Sequence, residues 1–272
     1  MAKLLDGKEL QGFIKERQLK QVRNLRQAYG IVPKLMIIVP EGASDVINAY
    51  VRLKQRYAED VLIDVEIVEL LESDMKEYIK KINIESNIQG IIVQLPLKNY
   101  SQTEKICNSI DSKKDVDGLS SAAEYSSATA EAIDWLLAGY NVSLEGKKIT
   151  LVGHGKLVGG PLGDIWQKRN LDVTILDEQS QNIRETLKKS DIIVSAAGVP
   201  RLVLSEDIQP GAVVVDAGTT SENGTLVGDV DATAQERQDI TITPLKGGVG
   251  PMTIAVLFDH VIQACQKQAG IL

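Results

Sequence analysis

Tyr50 and Lys54 stand four residues apart in a segment of helical character. Side chains at that spacing leave one face of a helix. A phenol beside an amine can shape a pocket and move a proton, provided the amine leaves water. Burial disfavours the ammonium and brings its pKa toward the working range. Gln94 ends an apolar run and precedes Leu95-Pro96. Near the carboxyl end, Lys246-Gly-Gly-Val-Gly-Pro-Met-Thr253 crowds three glycines and a proline ahead of an apolar helical run. Glycine there lets backbone approach a ligand closely. A third set, Gly153-His154-Gly155 through Gly159, follows a strand and opens a helix. Unpaired N–H groups and the helix dipole make an anion site at such a turn. Its Gly-x-Gly-x-x-x-Gly pattern is a variant of the dinucleotide fingerprint. Asp177 ends the next strand 24 positions after Gly153 (177 − 153), close to the spacing of a carboxylate that accepts from ribose.

Each set also has an ordinary explanation. Tyr and Lys one turn apart are common on solvated helix faces. Asp117 before Gly118 is a turn signal, Gln94-Leu-Pro96 can simply end a strand, and glycine turns occur throughout α/β folds. His154, inside the glycine loop, meets cofactor or solvent. His260 is structural or exposed, and Cys107 and Cys265 read as small core residues.

The elements that must position these groups alternate. Residues 7–29 are amphipathic and stop at Gly30. Leu35–Val39 is a short apolar run closed by Pro40, read as a buried strand. A helix over 44–60, a strand over 61–70, a helix over 73–85 and a strand over 90–94 follow. That order, with short links, implies a parallel sheet in three layers. Residues 111–130 are polar and irregular, the expected hinge between two lobes, and 130–137 is helical. A second series starts at Lys147: strands over 148–152, 172–176, 191–195 and 211–216, with a helix running past Pro161. The fold class is α/β and two-lobed: an α/β/α N-terminal domain over 1–125, completed by a carboxyl-terminal helix over 251–272, and a Rossmann-like NAD(P)-binding domain over 140–250.

Composition removes several classes. The 272 residues carry a net charge of −7 and 43% hydrophobic content, which suits a globular protein with no general attraction to nucleic acid or anionic membrane. Two histidines argue against a histidine-rich metal site and a Ser-His-Asp triad. The first residues lack the apolar core of a signal peptide, and no apolar run reaches the roughly 18 residues that span a membrane. Two cysteines make no disulfide framework. A cytoplasmic location is expected.

Four segments together carry a family resemblance: Tyr50-Val-Arg-Leu-Lys54, Ile91-Ile-Val-Gln-Leu-Pro-Leu97, Lys114-Asp-Val-Asp-Gly118 and Gly247-Gly-Val-Gly-Pro-Met-Thr253. In that order they resemble the bifunctional methylenetetrahydrofolate dehydrogenase/methenyltetrahydrofolate cyclohydrolase family, over essentially the whole chain. The resemblance implies an oxidoreductase and hydrolase of one-carbon metabolism, a homodimer binding tetrahydrofolate derivatives, and NAD or NADP as cofactor with no metal. It implies that Lys54 is the catalytic lysine, with Tyr50 shaping the cleft and Gln94 orienting the amine. It makes Asp117 the pterin-binding carboxylate and places Gly248, Gly250 and Pro251 along the folate cleft. It assigns Gly153, His154, Gly155, Asp177, Thr129 and Thr219 to the cofactor.

The departures from the family pattern fall on the hinge and the cofactor side. Ser127-Ala128-Thr129-Ala130 stands for the usual Pro-x-Thr-Pro, and Ile47 for a serine. Gly153-His154-Gly155 stands for Gly-Arg-Ser, Leu176-Asp177-Glu178 for Cys-His-Ser, and Lys246 for a proline. Two carboxylates at the end of the second Rossmann strand repel a 2′-phosphate, whereas one can accept from the ribose hydroxyls of NAD. The expected cofactor is therefore NAD, against the family habit of NADP, with Lys156 and Arg201 as the cations able to compensate. A cyclohydrolase with weakened dehydrogenase, or a non-catalytic folate-binding relative, are the other readings.

Overall fold

The structure is a computed structural model that describes residues 2–222 and 225–272. In chain order the elements are β1 (Lys3–Leu4), α1 (Gly7–Tyr29), β2 (Lys34–Pro40), α2 (Asp45–Val61), β3 (Asp64–Leu70), α3 (Glu72–Asn83), β4 (Gly90–Val93), α4 (Tyr100–Cys107), α5 (Ala128–Gly139), β5 (Ile149–Val152), α6 (Gly159–Lys168), β6 (Val173–Leu176), α7 (Ile183–Leu187), β7 (Ile192–Ser195), β8 (Val213–Asp216), β9 (Thr220–Glu222), β10 (Thr225–Val227), β11 (Thr241–Ile242) and α8 (Val249–Gln268). They form two compact units. One comprises Gly12–Ala128 and Ile254–Leu272; the other comprises Met1–Gln11 and Thr129–Thr253. The division differs from the one read in sequence: residues 1–11 and the start of α8 group with the second unit.

The first unit is built on a parallel sheet in the order β3-β2-β4. Its middle strand, Lys34-Leu-Met-Ile-Ile-Val-Pro40, is buried almost throughout. A strand covered on both faces has no polar side to show. On one face Met36, Ile38, Ile91 and Val93 join Met75, Ile79 and Ile82 of α3 and Ile106 of α4 in one apolar cluster. The other layer is helical as well. The Tyr57 ring of α2 lies 5.2 Å from Phe258 of α8. Gln18 of α1 donates to the Ala255 carbonyl at 2.8 Å and accepts from the Tyr57 hydroxyl at 2.7 Å. The cysteines lie in this unit, Cys107 at the end of α4 and Cys265 in α8. Both are buried and unpaired, and burial pushes both thiols up to about 12.

The second unit holds a sheet of six strands, all parallel, in the order β1-β11-β8-β7-β5-β6, and a separate antiparallel hairpin β9–β10. Strands β5 and β7 are buried at every position. The chain leaves β5 to one side for β6 and returns to its other side for β7, so the winding reverses there, as in doubly wound nucleotide-binding sheets.

Helix α2 runs to Val61, where Leu62 caps it in the left-handed region at φ 61°. The following strand therefore starts at Asp64 rather than at 61. Helix α4, β1, β11 and the β9–β10 hairpin are absent from the sequence reading. Two- and three-residue strands carry no periodicity, and α4 is eight residues with only Ile106 and Cys107 buried, too short for a 3.6-residue pattern to register.

Candidate functional site

In the first unit, a carboxyl-edge site gathers three of the expected residues. Ser44 caps α2, its hydroxyl accepting from the Ile47 N–H at 3.3 Å. The buried stripe of α2 is Ile47, Val51, Tyr57, Ala58 and Val61. Tyr50 and Lys54 lie beside that stripe, one turn apart and half-buried. The Lys54 Nζ donates to the Gln94 Oε1 at 2.7 Å. Gln94 follows β4 directly. Its backbone N–H continues the ladder to the Ile38 carbonyl at 2.8 Å, and its side-chain amide donates to the Leu95 carbonyl at 3.2 Å. Both ends of the amide are thereby committed, which fixes where the lysine head can sit.

Asp117 reaches the same place from a turn held on several sides. Asp115 is buried, and its carboxylate accepts from the backbone N–H groups of Gly118 at 3.1 Å, Leu119 at 3.1 Å and Ser120 at 2.7 Å. His260 of α8 is buried and donates Nδ1–H to the Val116 carbonyl at 2.8 Å. The Lys114 carbonyl accepts from the Ile91 N–H at 2.8 Å, tying the turn to β4. Burial lowers the pKa of Lys54, while the carboxylate of Asp117 pulls it back up. Burial likewise raises Asp117, opposed by Lys54, reinforced by Asp115 and opposed again by His260. An amine and an acid each pushed by burial toward the neutral form, with one amide fixing the amine, make a pair able to exchange a proton with a bound molecule.

Sequence reasoning missed Asp115 and His260 as supports of this turn. The signal for Asp115 was present, since an Asp ahead of a turn such as Val116-Asp117-Gly118 can cap the backbone N–H groups that follow it. Nothing local identified His260, which lies 144 residues from its partner.

In the second unit, Gly153 leaves β5 at φ 98°, a conformation that favours glycine. A Cβ there would stand 2.8 Å from the Ala196 carbonyl oxygen. His154 and Gly155 are exposed, and α6 opens at Gly159. Asp177 follows β6. Its Oδ1 accepts from the Gln179 N–H at 3.0 Å and from the Ser180 hydroxyl at 2.8 Å. These bonds hold its carboxyl below the usual range, so it is ionised at neutral pH. Arg201 is not available as an inward cation: its guanidinium binds both carboxylate oxygens of Glu222, at 2.8 and 3.0 Å. Thr219 is exposed in the loop after β8. Thr129, in the first turn of α5, lies 3.5 Å from the Thr253 hydroxyl.

The carboxyl-terminal glycine run belongs to the second unit by position. Gly248 is buried, with Thr243 where its side chain would go and its own carbonyl where Gly7 would carry one, and the Pro251 carbonyl accepts from Gln11 at 2.6 Å. Gly250 is exposed with open space at its Cβ position. Among the described residues no helix is long and apolar enough to cross a membrane, and no group of three or more His, Cys, Asp or Glu is placed to hold a metal ion.

Comparison with known proteins decides the family. Residues 5–117 match the model of the tetrahydrofolate dehydrogenase/cyclohydrolase catalytic domain, and residues 127–269 that of its NAD(P)-binding domain. The chain belongs to the tetrahydrofolate dehydrogenase/cyclohydrolase family. A relative from Staphylococcus saprophyticus, called bifunctional protein FolD, is 37% identical, covering 100% of this chain and 99% of that protein. The crystal structure of the bifunctional FolD enzyme of Campylobacter jejuni superposes with a TM-score of 0.91 at 30% identity, over 98% of this chain and 100% of that one. A Trypanosoma brucei member, solved with NADP and an inhibitor, gives 0.91 at 28% identity over 98% of both chains. The Lys54, Gln94 and Asp117 cluster lies in the part that matches the family's catalytic domain. The Gly153 turn and Asp177 lie in the part that matches its NAD(P)-binding domain, so the fold and the cofactor class agree with the sequence expectation.

Proposed function

We propose that the chain carries both activities of its family, 5,10-methylenetetrahydrofolate dehydrogenase and 5,10-methenyltetrahydrofolate cyclohydrolase, with Lys54 as the proton-transfer group. The observation that carries this reading is the Lys54 Nζ held at 2.7 Å by Gln94 with its pKa lowered by burial. A neutral amine in a desolvated site is a competent base.

The residues of the second unit fit a nicotinamide dinucleotide. Gly153 supplies a side-chain-free turn ahead of α6, and Asp177 presents an ionised carboxylate at the end of the next strand. The bound nicotinamide supplies the hydride acceptor for the methylene carbon of the folate. The resulting methenyl carbon is attacked by water, and Lys54 takes the water's proton as the C–O bond forms. Lys54 then gives that proton to N5 of the pterin as the carbon–N5 bond breaks, and the freed amine takes the remaining hydroxyl proton as the C=O closes, leaving the formyl group on N10 and releasing one proton to solvent. Asp117 accepts from the pterin amino and ring N–H groups, a pairing whose loss would leave buried donors unpaired. Tyr50, one turn from Lys54, shapes the pocket around the reacting carbon.

NAD is the favoured cofactor. Asp177 is fixed and ionised at the end of the second Rossmann strand, Glu178 follows it, and Arg201 is engaged by Glu222. Like charges at that point reject NADP, while one carboxylate can accept from both ribose hydroxyls. A homodimer is part of the same reading, and light scattering would measure it.

The test is direct. Purified chain is supplied with methylenetetrahydrofolate and each nicotinamide in turn, and the near-ultraviolet absorbance of reduced nicotinamide is followed. Methenyltetrahydrofolate is supplied separately and its decay compared with buffer. Nicotinamide reduction and accelerated decay are both expected. Failure of either removes the corresponding half of the proposal.

A further inference from the structure

Two aspartates in the second unit, the buried Asp229 and the half-buried Asp216, have no part in the chemistry above, and their bonds converge on the loops beside the glycine turn. Because the winding reverses between β5 and β7, a dinucleotide crevice lies beyond the carboxyl ends of those two strands. The Gly153 turn forms the β5 side. The loop Ala196–Gly198 forms the β7 side and touches the other wall, the Ala196 carbonyl and the Ala197 Cα standing against Gly153.

That loop is held by one carboxylate oxygen. Asp229 is fully buried, and its Oδ2 accepts from the Ser195 hydroxyl at 2.8 Å, the Ala197 N–H at 2.7 Å and the Gly198 N–H at 3.2 Å. The Gly198 carbonyl in turn accepts from the Thr220 hydroxyl at 2.8 Å. Asp229 is itself fixed by a second acid. Asp216, ending β8, accepts from the backbone N–H groups of Gly218 at 3.0 Å, Asp229 at 3.1 Å and Val230 at 3.0 Å. The packing is reciprocal. The Asp229 carboxyl occupies the space where Gly218 would carry a side chain, and the Asp216 carboxyl does the same at Gly228.

A buried carboxylate is a poor device for stability alone, because an apolar group of similar shape often does as well. What three donors on one oxygen do provide is a loop with a single conformation. We propose that Asp229, set by Asp216, is a positioning residue for the nicotinamide cofactor, holding the β7 wall of the crevice at its distance from Gly153. The proposal rests on the cofactor reading above and adds residues outside the glycine turn and Asp177.

The experiment uses the full chain. Binding of NADH and NADPH is titrated by fluorescence for the parent, Asp229→Ala, Asp229→Asn and Ser195→Ala. Methenyltetrahydrofolate hydrolysis is measured beside each. Asp229→Ala leaves three donors without an acceptor and raises the Kd and KM for the nicotinamide about tenfold or more, with hydrolysis little changed. Asp229→Asn, which keeps an oxygen for the loop, recovers most of that loss. Ser195→Ala removes one donor of three and raises the Kd about threefold. Unchanged cofactor affinity in Asp229→Ala overturns the proposal, as does a parallel fall in hydrolysis, which marks a merely structural role. Should Asp229→Ala not fold, Ser195→Ala decides alone: unchanged affinity there overturns the proposal. A parent that binds neither nucleotide refutes the cofactor reading instead.

Discussion

Replacing Lys54 separates a base from a fixed positive charge. Lys54→Met keeps a stem of similar length but removes the amine. It leaves the buried Gln94 Oε1 without the donor it has at 2.7 Å, a loss of about 1–3 kcal/mol. Against this, the variant no longer carries an amine whose charged form is penalised by burial. The two effects oppose, so net destabilisation stays within about 2 kcal/mol, or a Tm shift below about 8 °C. Lys54→Arg keeps a donor for Gln94 and a permanent charge but cannot give up its proton. If Lys54 is the base, both variants lose the contribution of a positioned proton acceptor, about 10²- to 10⁴-fold in kcat for methenyltetrahydrofolate hydrolysis. If Lys54 only stabilises charge, Lys54→Arg retains most of the rate. The parent profile carries a matching sign: only the neutral amine acts, so kcat rises with pH through a value below that of an ordinary lysine. Hydrolysis by Lys54→Met or Lys54→Arg at the parental rate above background would refute the assignment.

Three further outcomes are expected. Asp117→Ala weakens folate binding by about 10- to 100-fold while the nicotinamide Kd holds; equal loss of both, in separate titrations, would assign Asp117 to the fold. Asp177→Ser moves the kcat/KM ratio toward NADP, and an unmoved ratio removes that carboxylate from cofactor choice. Asp216 is pushed up to about 6, chiefly by burial. An acid raised in the folded state favours its neutral form there, so the contribution of Asp216 to stability is fully present below about pH 4 and is lost as pH rises through 6. The decline amounts to no more than about 3 kcal/mol. Asp216→Asn flattens that slope in urea titrations from acid to neutral pH, and identical slopes in parent and variant would contradict it.

Much of this was legible in the chain itself because the informative features are local. Tyr50 and Lys54 share a helix face by spacing alone. Gly153 followed by a helix, with Asp177 one strand later, is a pattern that short-range geometry enforces. What stayed hidden depends on contacts across long separations. The Lys54 to Gln94 bond joins residues 40 apart, and His260 supports a turn 144 residues away. The crowded Gly248 looked like ligand-facing backbone in sequence. In the structure it also has a packing reason, since the Thr243 side chain stands where a Cβ would go. Asp216 read as the end of a strand and Asp229 had no role in the sequence reading; only the fold reveals that each occupies the side-chain space of a glycine near the other. Arg201 counted as a possible phosphate ligand until its pairing with Glu222 was visible.

The two thiols set aside as core residues turn the first unit into its own clock. Cys107 and Cys265 both belong to that unit, and a thiol at about 12 is thiolate in only about one molecule in 10⁵ at neutral pH. The closed form is therefore almost inert to alkylating reagents, whereas an opened segment exposes a thiol of ordinary reactivity. Labelling under native conditions then counts excursions of this unit alone, since the other unit carries no cysteine. Slowing of that labelling by a folate, but not by a nicotinamide, would read out which half of the chain each ligand braces.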